Sequence, residues 1–300
     1  MMGQAARAKA APRKPKAARP LAWRWIAAAL AAAAVLIAVL VWKSGPSEDG
    51  GPVALTHVHG LGVDPADGQL YVATHDGLYR LPATGTPSLV GTGRQDTMGF
   101  TVAGPGTFLA SGHPAPGQNG PKHLGLIEST DTGNSWATRS LAGQADFHAL
   151  RYRHDTVYGY NSTTGQLLTS TDKTTWQTRA TKALRDFDVS PTDPKILLAT
   201  TDTGLQRSTD SGTTWAPAGG PPMLLLAWER ADRLNGITPT GDVLLSADGG
   251  TSWHPTGKLT GQATAFVAHD GILYAAVHEQ GIYTSTNGGA TWTPRYRSEA

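Results

Sequence analysis

An eight-residue pattern recurs through the chain and limits its fold more than any other feature. Its clearest copy is Ser208-Thr-Asp-Ser-Gly-Thr-Thr-Trp215. Others run from Ser129 to Trp136, from Ser170 to Trp176 in shortened form, from Ser246 to Trp253, and from Ser285 to Trp292, where Asn287 replaces the aspartate. The closing tryptophans stand 40, 39, 38 and 39 residues apart. So even a period marks one supersecondary unit used repeatedly, and several short strands per unit is the pattern of a propeller blade.

The chain can be stacked on itself at this period. His57 to Val63, Leu70 to His75 and Gly77 to Leu81 match Phe187 to Val189, Ile196 to Thr200 and Gly204 to Ser208, giving strands A, B and C of a blade. Strand D begins at the box tryptophan. The strands read as apolar runs more than as strict alternations, which suits sheets covered on both faces. Six units begin near residues 56, 95, 145, 183, 222 and 262. The first has no box, and Ala83 to Val90 stands in its place. Only eight residues follow Trp292, so the last blade takes its own strand D from the C-terminus. The expectation is an all-β, six-bladed β-propeller of four-stranded blades over residues 56–300, without an exchanged closing strand.

Ahead of the repeats, residues 1–24 carry seven Lys/Arg among Ala and Pro and lack the apolar content to fold alone. Residues 25–42 enclose an uninterrupted apolar run from Ile26 to Val41 between Trp25 and Trp42. As a helix this segment spans about 27 Å, close to the hydrocarbon thickness of a bilayer. Positive charge precedes it, so the basic tail is expected in the cytoplasm and the propeller outside, on a single-pass anchor at the cell membrane. No small-x-small cleavage site follows, which favours an anchor over a removed signal peptide. Residues 43–55 form a Gly/Pro/Ser linker.

With no cysteine, the chain has no disulfide, thiolate metal site or Cys nucleophile. Residues 1–43 hold eight basic and no acidic groups, which leaves 17 basic against 23 acidic residues beyond them. A mildly acidic folded domain repels phosphates, so nucleic acid is not its expected partner.

In the recurring box, Ser and Asp accept hydrogen bonds from nearby amides, Gly supplies a positive φ, and Trp packs over the turn. The pattern S-x-D-x-G-x-[ST]-W resembles the Asp-box, or bacterial neuraminidase repeat, of sialidases, sortilin-type receptors and photosystem II assembly-factor-like propellers. The resemblance covers five of six blades. It implies the fold and places the box aspartates at the blade periphery, away from ligand. Sialidases also carry an Arg-Ile-Pro segment and an arginine triad; the segment is absent here and the triad cannot be assigned. The layout is similar to exported Asp-box proteins loosely labelled glycosyl hydrolases.

Strand A lines the channel of a propeller, and alignment of its starts places His59, Met98, His148, Arg185, Leu224 and Thr264 in one ring. Two residues earlier stand His57, Asp96, Asp146 and Ala183, on the same side of each strand. The ends of strand B bring His75, His113 and His278 to the same mouth, with Asn161 aligned beside them. Blade two carries an insertion from Gly112 to His123. Seven of ten histidines thus map to one face, while His154, His254 and His269 fall elsewhere. Imidazole, carboxylate and thioether suit a copper or zinc ion, with His57, His59, Met98 and His148 as its ligands. His75, His113, Arg185 and His278 are candidate contacts for a small ligand such as a glycan. Asp96 and Asp146 could instead serve as the acid and base, or nucleophile, of a glycoside hydrolase. An inert channel on a protein-binding scaffold is the third reading. No Walker loop, G-x-S-x-G, H-E-x-x-H or Rossmann fingerprint is present. Asp64 to Gly68 reads as an A to B turn rather than a calcium loop.

Overall fold

A computed structural model describes residues 55–298. The tail, anchor segment and most of the linker lie outside the described residues. Among the described residues, no helix is long and apolar enough to cross a membrane.

Twenty-four strands form six four-stranded antiparallel sheets, each built from four consecutive strands. The innermost, strand A of each blade, are β1 (Val58–Val63), β5 (Asp96–Gly104), β9 (Phe147–Arg153), β13 (Asp186–Val189), β17 (Leu225–Arg230) and β21 (Ala263–His269). Strand B is β2 (Leu70–Thr74), β6 (Thr107–His113), β10 (Thr156–Asn161), β14 (Leu197–Thr201), β18 (Arg233–Ile237) and β22 (Ile272–Val277). Strand C is β3 (Gly77–Leu81), β7 (Leu126–Ser129), β11 (Gln166–Ser170), β15 (Gly204–Ser208), β19 (Asp242–Ser246) and β23 (Gly281–Ser285). The outer strands are β4 (Ser88–Leu89), β8 (Ala137–Ser140), β12 (Gln177–Thr181), β16 (Ala216–Pro217), β20 (His254–Lys258) and β24 (Thr293–Arg297). Six blades are therefore present, β4 replaces the boxed strand in the first, and the last pairs with its own C-terminal β24. Asp64 and Gly68 close the A to B turn of blade one, where the Asp64 carboxylate also accepts from the Gly106 amide of blade two.

The described core is divided into six clusters, each shared by two adjacent blades. Each blade buries apolar side chains on both faces, which explains why its strands read as continuous apolar runs. The seam between blades six and one has no strand exchange behind it. There Leu55, Val58, Leu61, Leu70, Val72 and Leu81 pack on Ala265, Tyr274, Ala276 and Ile282. Each large apolar side chain buried this way contributes about 1.5–3 kcal/mol. Arg295 adds hydrogen bonds to the carbonyls of Leu81 and Pro82 at 2.9 and 3.2 Å.

The boxes turn out to serve the seams as well as their own hairpins. In blade four, Ser208 Oγ donates to Asp210 Oδ1 at 2.8 Å and accepts from Gly212 N at 2.8 Å. Asp210 also accepts from the amide and hydroxyl of Thr214 at 2.8 and 2.6 Å. These hydrogen bonds, those from Thr214 foremost, lower the Asp210 carboxyl to about 2. The glycine at the turn's apex lies on the preceding blade: a Cβ on Gly212 would sit 2.6 Å from Leu167 Cδ2. Gly133, Gly250 and Gly289 meet Leu78, Leu198 and Val243 in the same way.

Candidate functional site

All six innermost strands line the central channel. Four of them begin with a one-residue bulge. The bulged residues are His59, Met98, His148 and Thr264, each left unpaired while its neighbours pair with strand B. A bulge re-aims the extra side chain, and three of these four side chains are imidazole or thioether. The strands of blades four and five start without one. This changes two expected placements. Lacking the extra residue, Arg185 and Leu224 align with Phe147 rather than with His148. Arg185 instead meets Asp202 at 2.6 Å on the exposed rim. A one-residue correction also applies on strand B, where the partner of His75 and His113 is Ser162, because Asn161 still pairs with Phe147.

In this register each bulged blade presents two residues at the mouth: a lead residue just ahead of the bulge position's neighbour on strand A, and an exit residue just past the pairing of strand B. In the four bulged blades the leads are His57, Asp96, Asp146 and Gln262, and the exits are His75, His113, Ser162 and His278. At the first two seams the exit of one blade meets the lead of the next. His75 Nδ1 lies 2.8 Å from Asp96 Oδ1 at the first seam. His113 Nε2 lies 3.6 Å from Asp146 Oδ2 at the second.

Two clusters grow from these pairs. In the first, His59, His75 and Asp96 bring one ligand atom each within 4.8 Å of one another. His57, at φ +47°, sets its ring 4.9 Å from that of His75 and 6.3 Å from that of His278. Burial, with help from His75, lowers the His59 imidazole to about 4 against the opposing pull of Asp96. His59 is therefore neutral at physiological pH. Its Nε2 and Asp96 Oδ1 are both buried without an aligned hydrogen-bond partner, despite the short approach of His75.

In the second cluster, His113, His123 and Asp146 converge likewise. Asp146 is the most enclosed member, its side chain only 6% exposed. Its Oδ2 lies 3.6 Å from His113, 3.8 Å from His123 and 3.0 Å from His148. Donors sharing one tetrahedral zinc at 2.0–2.1 Å stand about 3.3 Å apart, so this spacing is near that of a metal's ligand shell. His113 donates from Nδ1 to the Lys122 carbonyl at 2.9 Å. That leaves the Nε2 lone pair aimed at the centre, as ligating histidines commonly do. His148 donates to Asp146 and orients it. Asp146 Oδ1 and His123 Nδ1 have no hydrogen-bond partner. Burial alone would raise the Asp146 carboxyl, but His148, His113 and His123 together hold it below the ordinary value.

The opposite side of the channel has different chemistry. Arg151 donates to Asp186 at 2.7 Å and lies 3.8 Å from Asp188. Those carboxylates also accept the Leu226 and Trp228 amides at 2.9 and 2.8 Å, tying blade four to blade five. Burial would lower the Arg151 guanidinium, and the two carboxylates outweigh it. A cavity of about 340 Å³ at the far end is lined by Val63, Tyr152, Trp228 and His269. Met98 stands at its bulge, half-buried. His123 was visible in the sequence only as the end of an insertion, and its place against Asp146 is a tertiary fact.

No protein-family model matches the sequence. Dispase autolysis-inducing protein of Streptomyces mobaraensis is 33% identical over 106 residues, covering 34% of this chain and 28% of that protein. Among solved structures, a chain of a nidogen/laminin complex superposes with a TM-score of 0.60 at 11% identity, covering 76% of this chain and 95% of its own. The GH74 xyloglucanase of Xanthomonas campestris gives 0.53 at 18% identity, covering 81% of this chain and 38% of its own. YCF48 bound to D1 peptide gives 0.50 at 16%, covering 83% and 87%. The chain thus spans well under half of the curated relative and of the xyloglucanase. At these identities the structures establish the β-propeller fold.

Proposed function

We propose that this protein is an exported, membrane-anchored propeller of the Asp-box kind that binds a divalent transition metal, zinc or copper, at its channel mouth. The observation that carries this reading is Asp146, a nearly enclosed carboxylate whose Oδ2 is met by His113 and His123 at metal-ligand spacing while its Oδ1 has no hydrogen-bond partner. Two imidazoles and a carboxylate make a borderline donor set for such ions, and a three-ligand site keeps a position open for an exchanging ligand. His148 holds the carboxylate in place. The anchor and the outward orientation rest on the apolar run from Ile26 to Val41 and the basic residues before it.

Elemental analysis of the full chain tests the reading. We expect zinc or copper to be retained through mild dialysis, and the ion at this centre to be lost in Asp146→Asn. At a hundredfold excess over Kd, added zinc stabilises by about 2.7 kcal/mol, a rise of roughly 5–11 °C in Tm. Failure of the wild type to retain either metal or to respond in Tm overturns the proposal.

A glycoside hydrolase is the second reading, favoured by the GH74 neighbour and by Asp96 and Asp146 at one mouth. A glycosidase needs one carboxyl kept protonated as its acid. Asp146, held low by its histidines, fits only the base or nucleophile. Hydrolysis of aryl glycosides that vanishes in both Asp96→Asn and Asp146→Asn would place this reading first. The nidogen/laminin and YCF48–peptide structures leave a protein partner as a third use of the fold.

A further inference from the structure

The seam geometry points to a second cation centre, one blade before the first, formed by His59, His75 and Asp96. This inference rests on the metal-binding reading and extends it from one ion per chain to two. The two clusters share a construction. At each, the exit histidine of one blade meets the lead aspartate of the next: His75 with Asp96, and His113 with Asp146. Each adds one further imidazole, giving two histidines and one carboxylate in both places.

The source of that further imidazole separates the two centres and explains the insertion. In blade one the bulge of β1 supplies it as His59. The equivalent bulge of β5 carries Met98. At the seam that follows, His123 at the end of the segment 114–123 takes the part that His59 plays one blade earlier. Both added imidazoles keep a buried ring nitrogen without a hydrogen-bond partner, Nε2 in His59 and Nδ1 in His123; Asp146 Oδ1 has none either, and Asp96 Oδ1 meets the His75 ring without hydrogen-bond alignment. Unpaired buried polar atoms cost free energy unless something satisfies them. Here the four lie in pairs at two sites of the same composition.

The remaining seams show why the construction stops at two. Strand B of blades three, four and five ends without a histidine, and among the described residues no third cluster of two imidazoles and a carboxylate forms. At the closing seam His278 faces His57 without an aspartate at the lead position.

Zinc chloride titrated into the full chain, followed by calorimetry and by elemental analysis after gel filtration, decides the matter. The wild type should hold two equivalents; His75→Ala and His123→Ala should hold one each, and the double variant none. Asp96→Asn, which preserves volume, should repeat the His75→Ala result, and unchanged circular dichroism excludes misfolding as the cause. One equivalent in wild type, kept in His75→Ala and lost in His123→Ala, overturns the second centre while the functional reading stands. One equivalent lost in both variants means a single shared centre and overturns it too. No zinc in wild type defeats the functional reading itself.

Discussion

Replacing Gly212 by alanine probes whether the boxes space the blades. The residue sits at φ +86°, where an L side chain costs about 1–2 kcal/mol. Its new Cβ would lie 2.6 Å from Leu167 Cδ2 of the preceding blade and 3.5 Å from Leu197 Cδ2. Overpacking of this kind costs about 1–3 kcal/mol, and the lower end applies because the nearest atom is the tip of a leucine. The total is about 3 kcal/mol, or a fall of roughly 6–12 °C in Tm for a domain of this size. Gly204→Ala isolates the backbone part, since its φ is +107° and a Cβ there meets nothing within 4 Å. The packing part appears as coupling in a cycle of Gly212→Ala with Leu167→Ala, read by thermal melts of the full chain. A Gly212→Ala protein melting within about 2 °C of wild type refutes the spacer role. So does a loss no larger than that of Gly204→Ala with no coupling to Leu167.

Other parts of the molecule give equally direct tests. Arg151→Met leaves Asp186 and Asp188 buried without their counter-charge and should cost about 3–5 kcal/mol in denaturant unfolding; adding Asp186→Asn and Asp188→Asn should recover most of it. Glu128 joins Lys173 of the next blade and Arg139 at 2.5 Å each. Burial opposes its charge, but these two cations hold its carboxyl below the ordinary value. Its stabilising effect is therefore fully present above the unfolded carboxylate range and fades as pH falls through the lower folded value. The Tm gap between wild type and Glu128→Gln should be constant near neutral pH and close on acidification; a gap that widens contradicts the assignment. Arg295→Ala removes the hydrogen bonds that cross the closing seam and should lower Tm, whereas Arg230→Ala, on an exposed pair with Asp232, should leave it within about 0.5 kcal/mol of wild type by denaturant titration.

The blades were legible because Trp136, Trp176, Trp215, Trp253 and Trp292 count residues along the chain, and the count maps onto blades of nearly constant length. The same counting brought His59, Met98 and His148 to equivalent positions, since each occupies a bulge that lengthens its strand by one residue. It misplaced Arg185 and Leu224 because the bulge is absent there, and a missing residue inside a strand leaves no mark when the flanking apolar run is unbroken. The pairing of His75 with Asp96 and of His113 with Asp146 was out of reach for another reason. It joins the end of one blade to the start of the next, and such a contact depends on how the sheets stack, which no pattern within a blade encodes. His123 is the extreme case, because its position depends on the path of an irregular segment.

Six wedges closing a circle must each subtend about 60°, and any error in that angle accumulates along the chain until blade six meets blade one. Five junctions can absorb misfit through the peptide that connects them, whereas the last has only side chains, with Arg295 and the Leu81–Tyr274 contact region at its edge. A change of angle anywhere is therefore felt most where the circle shuts. Both candidate centres lie across junctions early in the sequence, between blades one and two and between blades two and three. An ion drawing those wedges together by a fraction of a degree acts, through the arithmetic of the circle, on a contact it never touches.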